Sequence, residues 1–174
     1  MKLLYSENLE LRFLRKSDIE DVRKNITART VRWFDNIPFP YTLDDARKYI
    51  ENSIINIKNK SSYDFGIIFE GSLVGTISLN DIDWKKRDAR IAYLLSENFW
   101  GKRIMSEAVE CVLEYGFGEM NLSRIYTGVI MENVASYRIL EKFGFRKESI
   151  NKDKYFIRGK YYDEIVFGLD KCYK

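Results

Sequence analysis

The sequence predicts a mixed α/β single domain, and three observations carry that prediction. Runs alternating with period two recur along the chain, runs with helical spacing lie between them, and no compositional break divides it. With 174 residues, 45% apolar and 15% aromatic, one substantial core is expected. Two prolines, ten glycines and no low-complexity run argue against a disordered or hinged chain.

The elements follow in order. Leu9, Leu11 and Phe13 alternate with Glu10 and Arg12, the pattern of a half-buried strand. Ser17 and Glu20 have the spacing of a capping box, and Ile19, Val22 and Ile26 continue at helical spacing. Residues 29–41 break the pattern in an aromatic loop that holds both prolines. Its aromatic residues either line a ligand cleft or pack on the core. Thr42 and Asp45 form a second capping box, and Ala46, Tyr49, Ile50, Ser53, Ile54 and Ile57 share one helical face.

After the polar break at 58–62, Phe65–Phe69 reads as a strand, Glu70-Gly71 as a turn and Leu73–Leu79 as its partner. Trp84–Asp88 turns the chain again into Arg90–Leu95, so three strands form an antiparallel meander. Met105, Ala108, Val109, Val112 and Leu113 mark the buried face of the next helix, opposite Glu107, Glu110 and Glu114. Ser123–Ile130 is the following strand, and a strand-helix-strand crossover makes it parallel to its predecessor. Asn133 caps a short helix with Ala135, Ile139, Leu140 and Phe143 inward, and Gly144 ends it. The tail from Phe145 to Leu169 is a hairpin turning at Arg158-Gly159-Lys160. The predicted order is β-α-α-β-β-β-α-β-α-β-β.

The absences narrow the chemistry. Without histidine the chain holds no Ser-His-Asp triad, no Cys-His pair and no histidine-ligated metal. Cys111 and Cys172 are scattered, the usage of a reducing compartment. The net charge of +3 is modest and both signs are mixed, unlike a nucleic-acid footprint. No apolar run has membrane-span length, and residues 1–12 lack a signal-peptide core, so a soluble cytoplasmic protein is expected.

The segment Phe99-Trp100-Gly101-Lys102-Arg103-Ile104-Met105-Ser106 sits where a strand gives way to a helix. Unpaired amides, the positive dipole end and two cations make that place suitable for a phosphate group.

Residues 96–108, then Glu132-Asn133-Val134-Ala135-Ser136 and Leu140-Glu141-Lys142-Phe143-Gly144-Phe145, resemble the GNAT acetyltransferase superfamily, the RimJ/RimL-type branch above all. Leu9-Glu10-Leu11-Arg12 and the loop Pro38–Thr42 are similar to that branch as well, so the resemblance spans nearly the whole chain. It implies a GNAT-like fold and acetyl transfer from acetyl-CoA to a primary amine. Trp100 to Met105 occupies the pyrophosphate loop, with Leu94, Leu95 and Ser106 beside it. Arg103 stands where the family pattern has glycine, and Met105 where it has a small residue. Arg103 either takes an unstrained helical conformation and adds a cation, the favoured expectation, or crowds the cofactor. The oxyanion donor is implied on the backbone near Leu95.

An amine must lose a proton before attack, and Glu97 is the best-placed carboxylate for that work, unless it is a solvated surface residue. The family's tyrosine, seven residues after Asn133, is replaced by Leu140. Ser136 stands where RimL-type enzymes carry a serine suited to that task, so the resemblance implies it as the acid for the departing thiolate, with Tyr137 as the alternative. Asn133 caps its helix and is implied in cofactor binding. Trp33, Phe39 and Tyr41 are the candidate acceptor contacts. The acceptor expected from the resemblance is a protein N-terminal α-amine. A polyamine, aminoglycoside or amino sugar is the alternative, and a non-catalytic acyl-CoA-binding regulator a third. Pairing of final strands into a homodimer rests on fold analogy alone.

Overall fold

The computed structural model describes residues 2–4 and 8–171. Eight strands form one sheet in the order β1-β2-β3-β4-β5-β6-β8-β7. They are β1 (Lys2–Leu4), β2 (Leu9–Phe13), β3 (Tyr63–Phe69), β4 (Ser72–Asp83), β5 (Asp88–Leu95), β6 (Arg124–Ile130), β7 (Arg146–Ile157) and β8 (Lys160–Asp170). The helices are α1 (Ile19–Asn25), α2 (Leu43–Asn59), α3 (Ile104–Phe117) and α4 (Val134–Lys142). The expected order is present, with β1 added ahead of it, antiparallel to β2.

Alternation along the strands assigns each sheet face a layer. Phe65, Ile67, Ile77, Leu79 and Ile91 point to the side where α3 buries Ala108, Val109 and Val112, forming the main core. On the opposite face Leu14, Val22, Ala46, Ile50, Ile68 and Leu73 form a second cluster beneath α1 and α2. Alongside that cluster, the second face is floored by Thr76, Ser78 and Asn80 of β4 and Arg90 of β5.

Among the described residues β5 and β6 form the one parallel pair, as the crossover predicts. They pair only over Asp88–Arg90 and Arg124–Tyr126. Past that point both strands run on without pairing to each other, β5 to Leu95 and β6 to Ile130, and a cleft opens between them.

Local signals mostly hold. Thr42 Oγ1 accepts from the Asp45 N–H at 3.2 Å, and Asp45 Oδ2 accepts from the Thr42 N–H at 2.9 Å. Arg158 and Gly159 both have positive φ, the conformation a two-residue hairpin turn requires. The start of α1 differs. Ser17 is exposed inside a 3-10 turn, Lys16–Asp18, and the acidic partner is Asp18 rather than Glu20. Its carboxylate accepts from the Arg15 N–H at 2.7 Å and from both terminal nitrogens of Arg12 at 2.7 and 2.8 Å. A charge-assisted two-point contact outweighs a neutral serine cap. In α4, Ala135 faces the cleft instead of the core. Cys111 is buried and unbridged, and burial, helped by Glu114, pushes its thiol up to about 11. Cys172 lies outside the described residues. No helix among the described residues is long and apolar enough to cross a membrane.

Candidate active site

The cleft between the splayed strands has a volume of about 1080 Å³ and runs along the polar face of the sheet under residues 29–38. Leu94, Leu95, Trp100, Gly101, Arg103, Ile104, Met105 and Ser106 line one end of it.

That end is built by one compact turn. The chain leaves β5 through a 3-10 turn, Glu97–Phe99, and the Trp100 indole N–H returns to the Leu95 carbonyl at 2.9 Å. Gly101 and Arg103 then take positive φ, 77° and 63°, before α3 starts at Ile104. Arg103 is thus left-handed, not helical as expected. It is the residue just outside the helix, where the chain must reverse its twist to aim α3, a conformation glycine adopts without strain. The first amide to bond back along α3 is that of Glu107, to the Arg103 carbonyl at 3.1 Å. Amides of Ile104, Met105 and Ser106 therefore open onto the cleft end with no carbonyl one turn behind them. Left-handed residues ahead of a helix start produce the amide concavity that accepts phosphate oxygens. The residues present fit a pyrophosphate, and the Arg103 side chain adds a cation on the cleft wall.

Lys102 and Glu97 are not among the lining residues. The Lys102 ammonium sits over the Phe99 ring, 5.1 Å from its centroid. Glu97 Oε2 is buried 3.3 Å from Nε of Arg29, an ion pair without hydrogen-bond alignment. The Arg29 guanidinium lies over the Trp100 ring at 5.2 Å. The 3-10 turn sets Glu97 off the cleft wall, where it pairs with Arg29.

The opposite wall comes from α4. Asn133 Oδ1 accepts from the Ser136 N–H at 3.4 Å, the capping contact its position predicts. Ser136 faces the cleft, and its hydroxyl lies 2.8 Å from the Tyr93 hydroxyl of β5. Burial pushes the Tyr93 phenol up to about 12, with Ser136 opposing, so it keeps its proton at neutral pH. Tyr137 is turned away: it stacks on Phe167 at 6.4 Å and 15°, beneath the Lys147 ammonium. Leu140 is fully buried in the core. Tyr93 escaped the sequence reading because its strand position matches that of an ordinary core residue.

Of the three expected acceptor contacts, Trp33 and Tyr41 line the cleft, whereas Phe39 stands outside it, 51% exposed. The Trp33 ring meets Tyr162 of β8 edge-on at 5.8 Å, and its buried indole nitrogen has no hydrogen-bond partner. Burial first, then the Asp45 charge, pushes the Tyr41 phenol up to about 12.

Residues 8–146 match the acetyltransferase (GNAT) domain model. The uncharacterized N-acetyltransferase p20 of Bacillus licheniformis is 33% identical over 98% of this chain and 97% of its own. The spermidine N(1)-acetyltransferase of Escherichia coli K12 is 26% identical over 92% of this chain and 84% of its own. RimL, the ribosomal L7/L12 alpha-N-protein acetyltransferase solved with coenzyme A, superposes with a TM-score of 0.90 at 20% identity, covering 98% of both chains. Matching family, fold and cofactor cleft together make this chain a member of the GNAT acetyltransferase family, an acetyl-CoA-dependent N-acetyltransferase.

Proposed function

We propose that the chain acetylates the α-amine at a protein N-terminus by direct transfer from acetyl-CoA, with Ser136 as the proton donor to the leaving thiolate. The observation that carries the catalytic assignment is the 2.8 Å contact of the Ser136 and Tyr93 hydroxyls on the cleft wall. A bound acetyl thioester supplies the electrophilic carbonyl. The amides of Ile104 to Ser106 hold its phosphates, and the Leu94–Leu95 backbone orients the acyl end. The acceptor amine gives up its extra proton to solvent along the polar floor of Thr76, Ser78 and Asn80. As the C–N bond forms and the C–S bond breaks, the nitrogen releases its second proton to solvent, Ser136 protonates sulfur and recovers a proton from Tyr93, and solvent returns a proton to the phenolate. The protein N-terminus as acceptor draws its support from the RimJ/RimL-type motifs, Leu9–Arg12 and Pro38–Thr42.

A second reading, a small-molecule amine, has its own observation: the bulky aromatic ring of Trp33 on the cleft wall is braced edge-on by Tyr162. The spermidine acetyltransferase relative points the same way. An acetyl-CoA assay across N-terminal peptides, polyamines and amino sugars tests both. Transfer to peptides is expected. Acetylation of small amines with none of any peptide would overturn the first reading in favour of the second. No coenzyme A release with any amine would end both.

A further inference from the structure

Beside the acceptor side, α2 and the strands β3 and β4 enclose a recess of about 410 Å³. Tyr49, Asn52, Asp64, Asn80 and Asp81 line both the recess and the main cleft, so the two communicate. We propose that this recess, with Asp64 as its charged wall, binds a second cationic group carried by the acceptor. The inference rests on amine acetylation as the reaction and adds a class of acceptor to it.

Asp64 is 7% exposed, yet no lysine or arginine among the described residues forms an ion pair with it. Burial raises its carboxyl from the usual range, and only the hydroxyls of Ser62, Ser53 and Tyr49 ease that cost. Ser62 Oγ donates at 3.2 Å. Ser53, 1% exposed, lies beside the carboxylate and completes no hydrogen bond. A carboxylate has about four lone-pair sites, so its capacity is only partly used. Asn80 adds a second open acceptor. Its Nδ2 donates to Ser78 Oγ at 3.3 Å, while its buried Oδ1 has no partner. At the rim Asp81 is held 3.5 Å from Arg90.

A buried carboxylate without a counter-charge, beside a buried carbonyl without a donor, is costly unless something donor-rich completes it. An ammonium brings three donors, no acceptor and the missing charge. An anion would meet Asp64 and Asp81, and an apolar group would leave both open acceptors unpaired.

Register supplies the distance. Asp64 pairs with Ser78, and Ser78 pairs with Ala92 on β5, which borders the cofactor cleft. Two strand spacings are about 10 Å, so the two cations of the acceptor stand roughly that far apart. A diamine or a peptide N-terminus followed by lysine offers this chemistry.

The test compares matched acceptors with the full chain. α,ω-Diamines from propane to decane are set against monoamines of equal length, and peptides with lysine as second residue against norleucine. Acetylation kinetics and calorimetric binding of the diamine without acetyl-CoA are both read. Expected results are a KM at least tenfold lower for the doubly charged acceptor, an optimum at intermediate chain length, and collapse of that ratio to within twofold in Asp64→Asn. Thermal melts establish that the variant is folded, and Asn80→Leu, expected to reduce the ratio at least threefold, supplies a second probe. Lysine peptides outperforming diamines assigns the cation to a protein; the reverse assigns it to a small molecule. Equal KM values in the unmodified protein, or a preference surviving both substitutions, overturns the proposal. Calorimetric binding that depends on Asp64 without any acetyl transfer would overturn the amine-transfer reading and leave the recess standing.

Discussion

Gly75→Ala tests the geometry on which the whole cofactor end depends. Gly75 on β4 pairs with Leu95 on β5, at the point where β5 has parted from β6. A Cβ at this position would overlap the Leu94 carbonyl oxygen and stand 3.1 Å from Leu95 Cα. These are backbone atoms, and they are tied down. Ser96 N–H donates to the Val74 carbonyl at 2.8 Å, and the Trp100 indole holds the Leu95 carbonyl at 2.9 Å. A flexible side chain would yield, but here β4 and β5 must separate. Overpacking a well-filled site costs about 1–3 kcal/mol, and a backbone obstacle places this substitution near 3. For a domain of this size each kcal/mol moves Tm by about 2–4 °C, so a fall of about 6–12 °C is expected. Displacing Leu94 and Leu95 also shifts the acyl end, and misplacement of about 1 Å can reduce kcat/KM on the order of 100-fold. Calorimetric melts and acetyl-CoA kinetics on the variant measure both. A Tm within 2 °C of the unmodified protein together with unchanged kcat/KM would refute the reasoning.

Three further outcomes are expected. Arg103→Gly removes a left-handed arginine worth about 1–2 kcal/mol of strain and returns about 0.5–1 as unfolded-chain freedom. Tm should therefore rise slightly or hold, while loss of the cation weakens acetyl-CoA binding severalfold in calorimetry. Ser136→Ala and Tyr93→Phe should each lower kcat by about 100-fold with far less change in acetyl-CoA affinity, and the double variant should be little worse than either. Arg12→Ala leaves the nearly buried Asp18 carboxylate uncompensated, a cost of about 3–5 kcal/mol in denaturant unfolding. Burial opposes the Asp18 charge, but Arg12 and the Arg15 amide prevail and hold its carboxyl below the usual range. That contribution is present above about pH 4 and lost as pH falls through the lowered value. The gap between Arg12→Ala and the unmodified protein should close in acid, and a gap independent of pH would count against the pairing.

The amino-acid sequence by itself determined the order of elements, the Thr42–Asp45 cap, the hairpin turns and the parallel crossover. Each is written in spacing along the chain, where period, cap chemistry and turn residues act over a few positions. The turn into a helix at 99–106 was legible too, because a helix start after a strand is a local event. Tertiary structure decided what meets across distance. Ser136 and Tyr93 stand 43 positions apart, and nothing in either neighbourhood announces the contact. Glu97 reads as an available carboxylate, but in the fold it pairs with Arg29, from a different segment, and does not line the cleft. Arg103 took a left-handed conformation that its residue type disfavours, because the approach of α3 to the sheet dictates the backbone there. Asp64 lies in a strand whose alternation says only that it points away from the main core. That it is buried without a counter-charge depends on α2 closing over it. Periodicity records which face of an element is covered; the covering partner, and the charge it brings or withholds, exists only once the elements have packed.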